Sequence, residues 1–209
     1  MFAKREAGIS KIVMNTIIAG SAAGLVGTFF KPWLTGYKNQ LTKGTSAYDV
    51  GSLSNGLLCG LVGITGVCDA AEPWGALIIG LVAGFVYGLA CKLCEIITVD
   101  DPIEASPVHG FGGMWGLIAV GIFHNEKGLL SGADEGKAKF FFVQIGGMFV
   151  IILWVAFLSG LYFLVMNKFK KLRVSLLDEV IGLDIAEMGG VMHINRKVND
   201  KISRADSIR

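Results

Sequence analysis

Charged residues are scarce in this sequence. Asp, Glu, Lys and Arg make up 17% of its 209 residues, well below the ~25% that is usual in soluble domains. Hydrophobic residues make up 53%, and the mean hydropathy is +0.59. This balance argues against a soluble globular domain and predicts an integral membrane protein.

A concentrated basic surface is also missing. The formal net charge is only +2, and the lysines and arginines are scattered between the apolar runs. A nucleic-acid-binding protein needs a basic patch or stripe on one face, so we do not expect a nucleic-acid partner. The net charge by itself indicates no other partner.

The four cysteines do not form a disulfide framework. Cys59 and Cys91 lie inside apolar runs, Cys94 lies near the end of one, and Cys68 lies at a boundary. Cys91 and Cys94 have CxxC spacing, but no second CxxC and no nearby histidine completes a metal or redox site. We therefore interpret them as packing residues and predict no metal and no other cofactor.

Proline is rare, with 4 residues, whereas glycine is abundant, with 29. Gly56 and Gly60 are four residues apart, and Gly80, Gly84 and Gly88 repeat at the same spacing. Small residues four apart lie on one face of a helix and let the backbones of membrane helices approach closely. These two glycine faces are therefore predicted to be helix contacts.

Long uncharged or nearly uncharged runs predict an all-α, polytopic membrane protein with five transmembrane helices. The predicted spans are about 12–30, 52–68, 73–99, 102–123 and 140–166, within a membrane domain of residues 1–167. Residues 168–209 are predicted to form a tail. A signal peptide is the alternative interpretation of 12–30, but the run is too long and has no clear cleavage site.

The distribution of Lys and Arg predicts the orientation of these spans. Basic residues follow the first and fifth spans, and Lys92 lies near the end of the third, whereas acidic residues lie in loops 69–72 and 124–139. Cytoplasmic loops carry the excess of Lys and Arg, so the tail is expected in the cytoplasm and Met1 outside. Lysines near Met1 and in loop 124–139 oppose this orientation.

The run from Asp100 to His124 carries the main functional candidate. Asp101 is a plausible N-cap, with Pro102 at the first helical position and Glu104 at the third. His109 then lies roughly 12 Å into the span, since a helix rises 1.5 Å per residue. On an α-helix its face also holds small or apolar residues, namely Gly112, Gly113, Gly116 and Val120.

A histidine at that depth has two interpretations. It is either a satisfied core residue or a functional group in a pore wall, and polar residues inside membrane spans tend to be functional. An enzyme is not expected, because His109, Asp101, Glu104 and the cysteines form no nucleophile–base pair or metal constellation.

Three stretches resemble one family of transporters. They are DDPIEASPVHGFGGMWGLIAVGIF (100–123), EPWGALIIGLVAG (72–84) and GLDIAEMGG (182–190). Their order and sequence are similar to the C-terminal half of the ammonium transporter (Amt/Mep/Rh) family, most closely its Amt branch.

The resemblance implies a fold of eleven helices in two inverted halves, of which these spans are the last five, assembled as trimers. It implies that His109 is the second of two facing pore histidines, and that Asp101 and Glu104 are the acids at the start of its helix. The first histidine, the outer recruitment site and the phenylalanine gate belong to the half that precedes these five helices in the family.

In the tail, Gly182, Asp184 and Gly189 match the family motif, but Met188 stands where a histidine is usual. The family tail couples neighbouring subunits, so this substitution is expected to affect that coupling.

The function implied is transport of ammonium or ammonia, with methylammonium as an analogue, through a homotrimer in the lipid bilayer of the plasma membrane. The alternative is a half-length, non-conducting subunit that assembles with full-length transporters and regulates them. The two hypotheses differ in whether a reading frame continues upstream of Met1.

Overall fold

The computed structural model describes residues 2–35, 49–131, 136–175, 178–179 and 182–183. Within these ranges the chain is all-α and contains no strand, as the sequence predicts. The five helices are α1 (Phe2–Thr35), α2 (Val50–Thr65), α3 (Pro73–Ile96), α4 (Gly112–Phe123) and α5 (Lys137–Lys168). A π-helical segment, Ser106–Phe111, runs directly into α4.

Four helical stretches are long and apolar enough to cross a membrane: Gly8–Thr35, Pro73–Ile96, Ser106–Phe123 and Lys137–Lys168. The helix α2 has only 16 residues, about 24 Å at 1.5 Å per residue. It ends at Thr65, three residues before the predicted limit of its span, and the chain continues through turns to Ala71. Four of the five predicted spans therefore match helices long enough to cross a membrane, whereas α2 is shorter.

The helix α1 packs against α2 and α3 through small residues. A Cβ atom added to Gly60 would lie 2.5 Å from the carbonyl oxygen of Ala19, and one added to Gly80 would lie 2.3 Å from the same oxygen. One on Gly84 would lie 2.5 Å from Cβ of Val26. The helix contacts predicted from the glycine spacing are therefore confirmed, and backbones approach where only hydrogen fits.

Polar contacts at the two ends of α1 show how the helices alternate. Near its start, the Lys11 ammonium lies 2.9 Å from a carboxylate oxygen of Glu72, and Asn15 donates to two carbonyls of the α2–α3 connection at 2.8 Å each. Near its end, Lys31 pairs with Glu104, which precedes the π-helical segment. Helices α1 to α4 therefore alternate in direction, as successive membrane spans must.

The chain divides into two compact units, residues 1–151 and 152–209. In the first unit, α5 begins against α4, since a Cβ on Gly121 would lie 2.7 Å from the Phe141 ring. The second unit contains the rest of α5, whose large apolar side chains are exposed all round, and the first residues of the tail. A helix that is apolar on every side is typical of a membrane span.

Candidate pore-lining site around His109

The fourth span starts later than the sequence predicts. The carboxylate of Asp101 accepts hydrogen bonds from the backbone N–H groups of Ser106 (2.7 Å) and Ala105 (2.9 Å). These bonds hold the pKa of the Asp101 carboxyl below its usual value. Asp101 thus binds the first free donors of the helix, as an N-cap does, but the helix begins beyond Glu104.

The expected positions of Pro102 and Glu104 inside the first helical turn are therefore wrong. Residues Asp101 to Glu104 form a turn closed by a bond from Glu104 N–H to the Asp101 carbonyl (3.1 Å). Glu104 has φ +59°, in the left-handed region, which costs roughly 1–2 kcal/mol for a residue with a Cβ atom. A left-handed residue cannot continue a right-handed helix, so the helix starts after it.

Three helices hold the side chain of Glu104. The ammonium of Lys31 (α1) forms an ion pair with Oε1, and the hydroxyl of Tyr87 (α3) donates to Oε2. The amide of Asn55 (α2) also donates to Oε2, at 3.0 Å, and to the carbonyl of Ile103, at 3.3 Å. We call Lys31, Asn55, Tyr87 and Glu104 the Glu104 cluster.

The Glu104 cluster is half-buried, and its charge and hydrogen bonds together favour an ionised Glu104. Side chains of Lys31 and Glu104 are 15% and 23% exposed, and the Lys31 ammonium lies 5.5 Å from the centre of the Tyr87 ring. Burial alone raises the pKa of Glu104, but hydrogen bonds from Lys31, Tyr87 and Asn55, with the Lys31 charge, hold it below its usual value. The carboxylate is therefore ionised near neutral pH.

His109 lies in the π-helical segment Ser106–Phe111. Such segments are rare, and they occur frequently at functional sites. Because a π-helix bonds residue i to i+5, its turn is wider than that of an α-helix, and residues do not share faces at 3.6 spacing.

The expected strip of small residues beside His109 is accordingly divided. A Cβ on Gly112 would lie 2.8 Å from Sγ of Cys59, and one on Gly116 would lie 3.2 Å from the Gly63 carbonyl, so both pack on α2. Val120 is buried with them, whereas Gly113 faces open space. Only Gly113 of the four stays on the side of His109.

Within the chain, the His109 imidazole is exposed and makes no hydrogen bond to any described residue. A Cβ on Gly110 or Gly113 would have no atom within 4 Å. We call His109, Gly110 and Gly113 the open side of the fourth span. The preceding residue, Val108, is 2% exposed and packs in the core.

The opposite side of the span is fixed to α3 as well as to α2. The indole of Trp115 donates to the carbonyl of Ile79 at 3.0 Å. The imidazole is therefore carried by a helix that is docked on one side and uncovered on the other.

Sequence reasoning identified His109, Asp101 and Glu104 but missed Lys31, Asn55 and Tyr87. A lysine directly after an apolar run and an acid just before another were the available signals. No local pattern links two residues 73 positions apart.

Other candidate groups give no further site in the described part of the chain. Cys59, Cys91 and Cys94 are buried thiols, and no three His, Cys, Asp or Glu side chains there are placed to hold a metal ion. In the tail, Gly182 has φ +98° and its N–H bonds the carbonyl of Asp178 at 2.8 Å. The predicted positions Asp184, Met188 and Gly189 lie outside the described residues.

Residues 2–192 match the model of the Ammonium Transporter Family. This chain belongs to the ammonium transporter family. The resemblance predicted from the three stretches is thereby confirmed.

Ammonium transporters from distant organisms are similar along most of the chain. It is 36% identical over 198 residues to Ammonium transporter 1 member 1 of Arabidopsis thaliana, and 37% identical over 198 residues to Ammonium transporter Amt2 of Archaeoglobus fulgidus. It is 40% identical over 156 residues to Ammonium transporter 3 of Dictyostelium discoideum. These alignments cover 89%, 91% and 70% of the chain, but only 37%, 40% and 36% of the respective relatives.

Solved structures of ammonium transporter family members share the fold. Mep2 of Saccharomyces cerevisiae superposes with a TM-score of 0.67 at 25% identity, covering 81% of this chain and 38% of that protein. Mep2 of Candida albicans superposes with a TM-score of 0.66 at 22% identity, covering 86% and 39%. The chain therefore spans about two fifths of the length of the family members that it matches.

Proposed function

We propose that this chain is the C-terminal, pore-lining half of an ammonium transporter and that His109 faces the path of ammonia. The observation that carries the proposal is the open side of the fourth span. An imidazole, which is costly to place in lipid, stands uncovered on a membrane-spanning helix whose other side is fully docked. Such a side needs either a second set of helices or a solvated path beside it.

The chemistry of the substrate fits this position. Ammonium is a hydrated cation that is costly to transfer into a low-dielectric neck, whereas neutral ammonia crosses it at little cost. A neutral imidazole offers one donor and one acceptor nitrogen to a small polar solute. His109, opposite a second imidazole from the other half, would line such a neck while Gly110 and Gly113 leave room for the solute.

Family membership supports the remaining parts of the proposal. The five helices correspond to the last five of eleven, the complete protein forms a homotrimer in the plasma membrane, and the tail is cytoplasmic. The cytoplasmic side is assigned from the sequence, because the clusters of Lys and Arg follow the first and fifth spans. Reporter fusions at Lys38 and Lys171 are expected to read cytoplasmic and a fusion at Glu126 external. A cytoplasmic Glu126 would reverse the orientation.

The transport proposal is tested in a completed transporter, made by joining this chain to the N-terminal half of a full-length family member. His109→Ala is expected to abolish or strongly reduce methylammonium uptake while trimer assembly is retained. The matched control is His124→Ala, because His124 lies beyond α4, where its Nδ1 accepts two backbone N–H groups at 3.2 Å. Equal uptake by the His109 variant and its control would reject the pore assignment.

A second candidate function is a non-conducting subunit that regulates full-length transporters. It is favoured by the tight packing of α1 to α4 within the chain itself, which leaves a folded bundle with an open side available to another subunit. Co-expression of the tagged chain with a full-length family member tests it. Co-purification with a graded loss of uptake supports this role, and the absence of either result rejects it.

A further inference from the structure

The Glu104 cluster has no part in the proposed function, yet it lies directly before the segment that carries His109. We propose that Glu104, held by Lys31, Tyr87 and Asn55, is a positioning residue that sets where the His109 imidazole stands. This inference rests on the proposed function only for the role of His109 in transport. The effect of Glu104 on the position of the imidazole concerns this chain alone.

The main chain connects the two residues over a short path. The carbonyl of Glu104 accepts the N–H of Val108 at 3.1 Å, and Val108 is buried immediately before His109. A shift or rotation of Glu104 therefore moves the hydrogen bond that fixes the residue next to the imidazole.

The left-handed backbone of Glu104 needs support from its surroundings. A non-glycine residue in this region is strained, and it persists where neighbouring contacts determine it. Here the contacts come from α1, α2 and α3, so Glu104 is fixed relative to the whole bundle and not to one neighbour. Strain of this kind is concentrated at functional sites.

Charge is essential to this arrangement because Lys31 and Glu104 are half-buried. Loss of one partner leaves the other with an uncompensated charge at low exposure, which favours rearrangement of the turn. Glu104→Gln keeps the shape of the side chain and one oxygen acceptor, so it removes the ion pair with little change in volume.

The experiment measures the accessibility of His109 in the intact 209-residue chain in detergent. The sequence contains three histidines, so carbethoxylation by diethyl pyrocarbonate can be followed at each by mass spectrometry. The variants are Glu104→Gln and Lys31→Met. The matched control is Glu95→Gln, which removes an exposed pair with Lys92 (2.9 Å) at the same end of the bundle.

Glu104→Gln and Lys31→Met are expected to change the modification rate of His109 by at least about threefold, the coupling typical of groups in one network. The rate at His124 should stay constant in every variant, and Glu95→Gln should change neither. Equal changes at His109 and His124 would indicate general loosening and contradict the proposal. An unchanged His109 rate in folded Glu104→Gln would also contradict it.

If both charge variants fail to fold, Tyr87→Phe is used to test the proposal, because it removes one hydrogen bond to Glu104 and no charge. A smaller change at His109 alone supports positioning, and an unchanged rate overturns it. This readout requires no transport. Uptake by His109→Ala therefore tests the proposed function, whereas His109 reactivity in Glu104 variants tests the positioning role.

Discussion

The docked and open sides of the fourth span differ in what they touch. On the docked side, Gly112 and Gly116 lie against α2 so closely that an added Cβ would meet Cys59 at 2.8 Å and Gly63 at 3.2 Å. On the open side, Gly110 and Gly113 meet nothing within 4 Å, and His109 is exposed. The docked side therefore determines the geometry within this chain, and the lack of contacts on the open side is the basis of the proposal that it faces a partner surface and its substrate.

The largest expected effect is on the open side. In the completed transporter, His109→Glu is expected to convert passage of a neutral solute into charge-carrying transport, because a carboxylate in the neck favours a cation. Electrical recordings with methylammonium should show a substrate-dependent current that grows relative to tracer uptake. An unchanged ratio of current to uptake would mean that residue 109 does not face the path.

The same substitution, glycine to leucine, at two positions three residues apart distinguishes the docked side from the open side. Gly116→Leu should lower the free energy of unfolding by about 1–3 kcal/mol, because a bulky side chain forces packed backbones apart. Gly113→Leu should leave stability nearly unchanged but block uptake in the completed transporter. Thermal melts in detergent and uptake assays test both, and equal melting temperatures for the two variants would contradict the assignment of sides.

A smaller effect is expected from protonation of the Glu104 cluster. The pKa of Glu104 is held below its usual 4.5 in the folded chain, so the unfolded chain binds this proton at higher pH. The stabilisation is therefore complete above pH 4.5 and is lost as the pH falls through the folded-state pKa. Since the pair is partly solvated, the contribution is about 1 kcal/mol or less.

This pH dependence is measured by denaturation of the chain and of Glu104→Gln between neutral and acidic pH. The stability difference between them should be constant above pH 4.5 and shrink below it. A difference that grows on acidification would contradict an ionised Glu104.

Much of this structure is predictable from local sequence pattern. Hydropathy predicts the four long apolar helical stretches, and the four-residue spacing of Gly80 and Gly84 predicts their close helix contact, because both signals repeat within one helix. The sequence alone also predicts that His109 lies within a span.

The conformation around Glu104 is not predictable in this way. Proline after an acid is the usual sign of a helix start, so Pro102 predicts a start four residues too early. Glu104 instead adopts a left-handed conformation, and side chains distant in the sequence hold it there. The π-helical turn also divides the face of His109, since helical periodicity assumes 3.6 residues per turn. The first miss reflects side-chain contacts that are distant in sequence, and the second reflects a helical form that periodicity does not describe.

Uptake of methylammonium into proteoliposomes is the decisive test of whether His109 lines a pore that needs a second half. The vesicles contain either the 209-residue chain alone or the chain assembled with a separately expressed N-terminal half, each with His109 or with His109→Ala. We expect no uptake by the chain alone, and uptake by the assembled halves only when His109 is present. Robust uptake by the chain alone, with or without His109, would contradict both the pore assignment and the need for a partner on the open side.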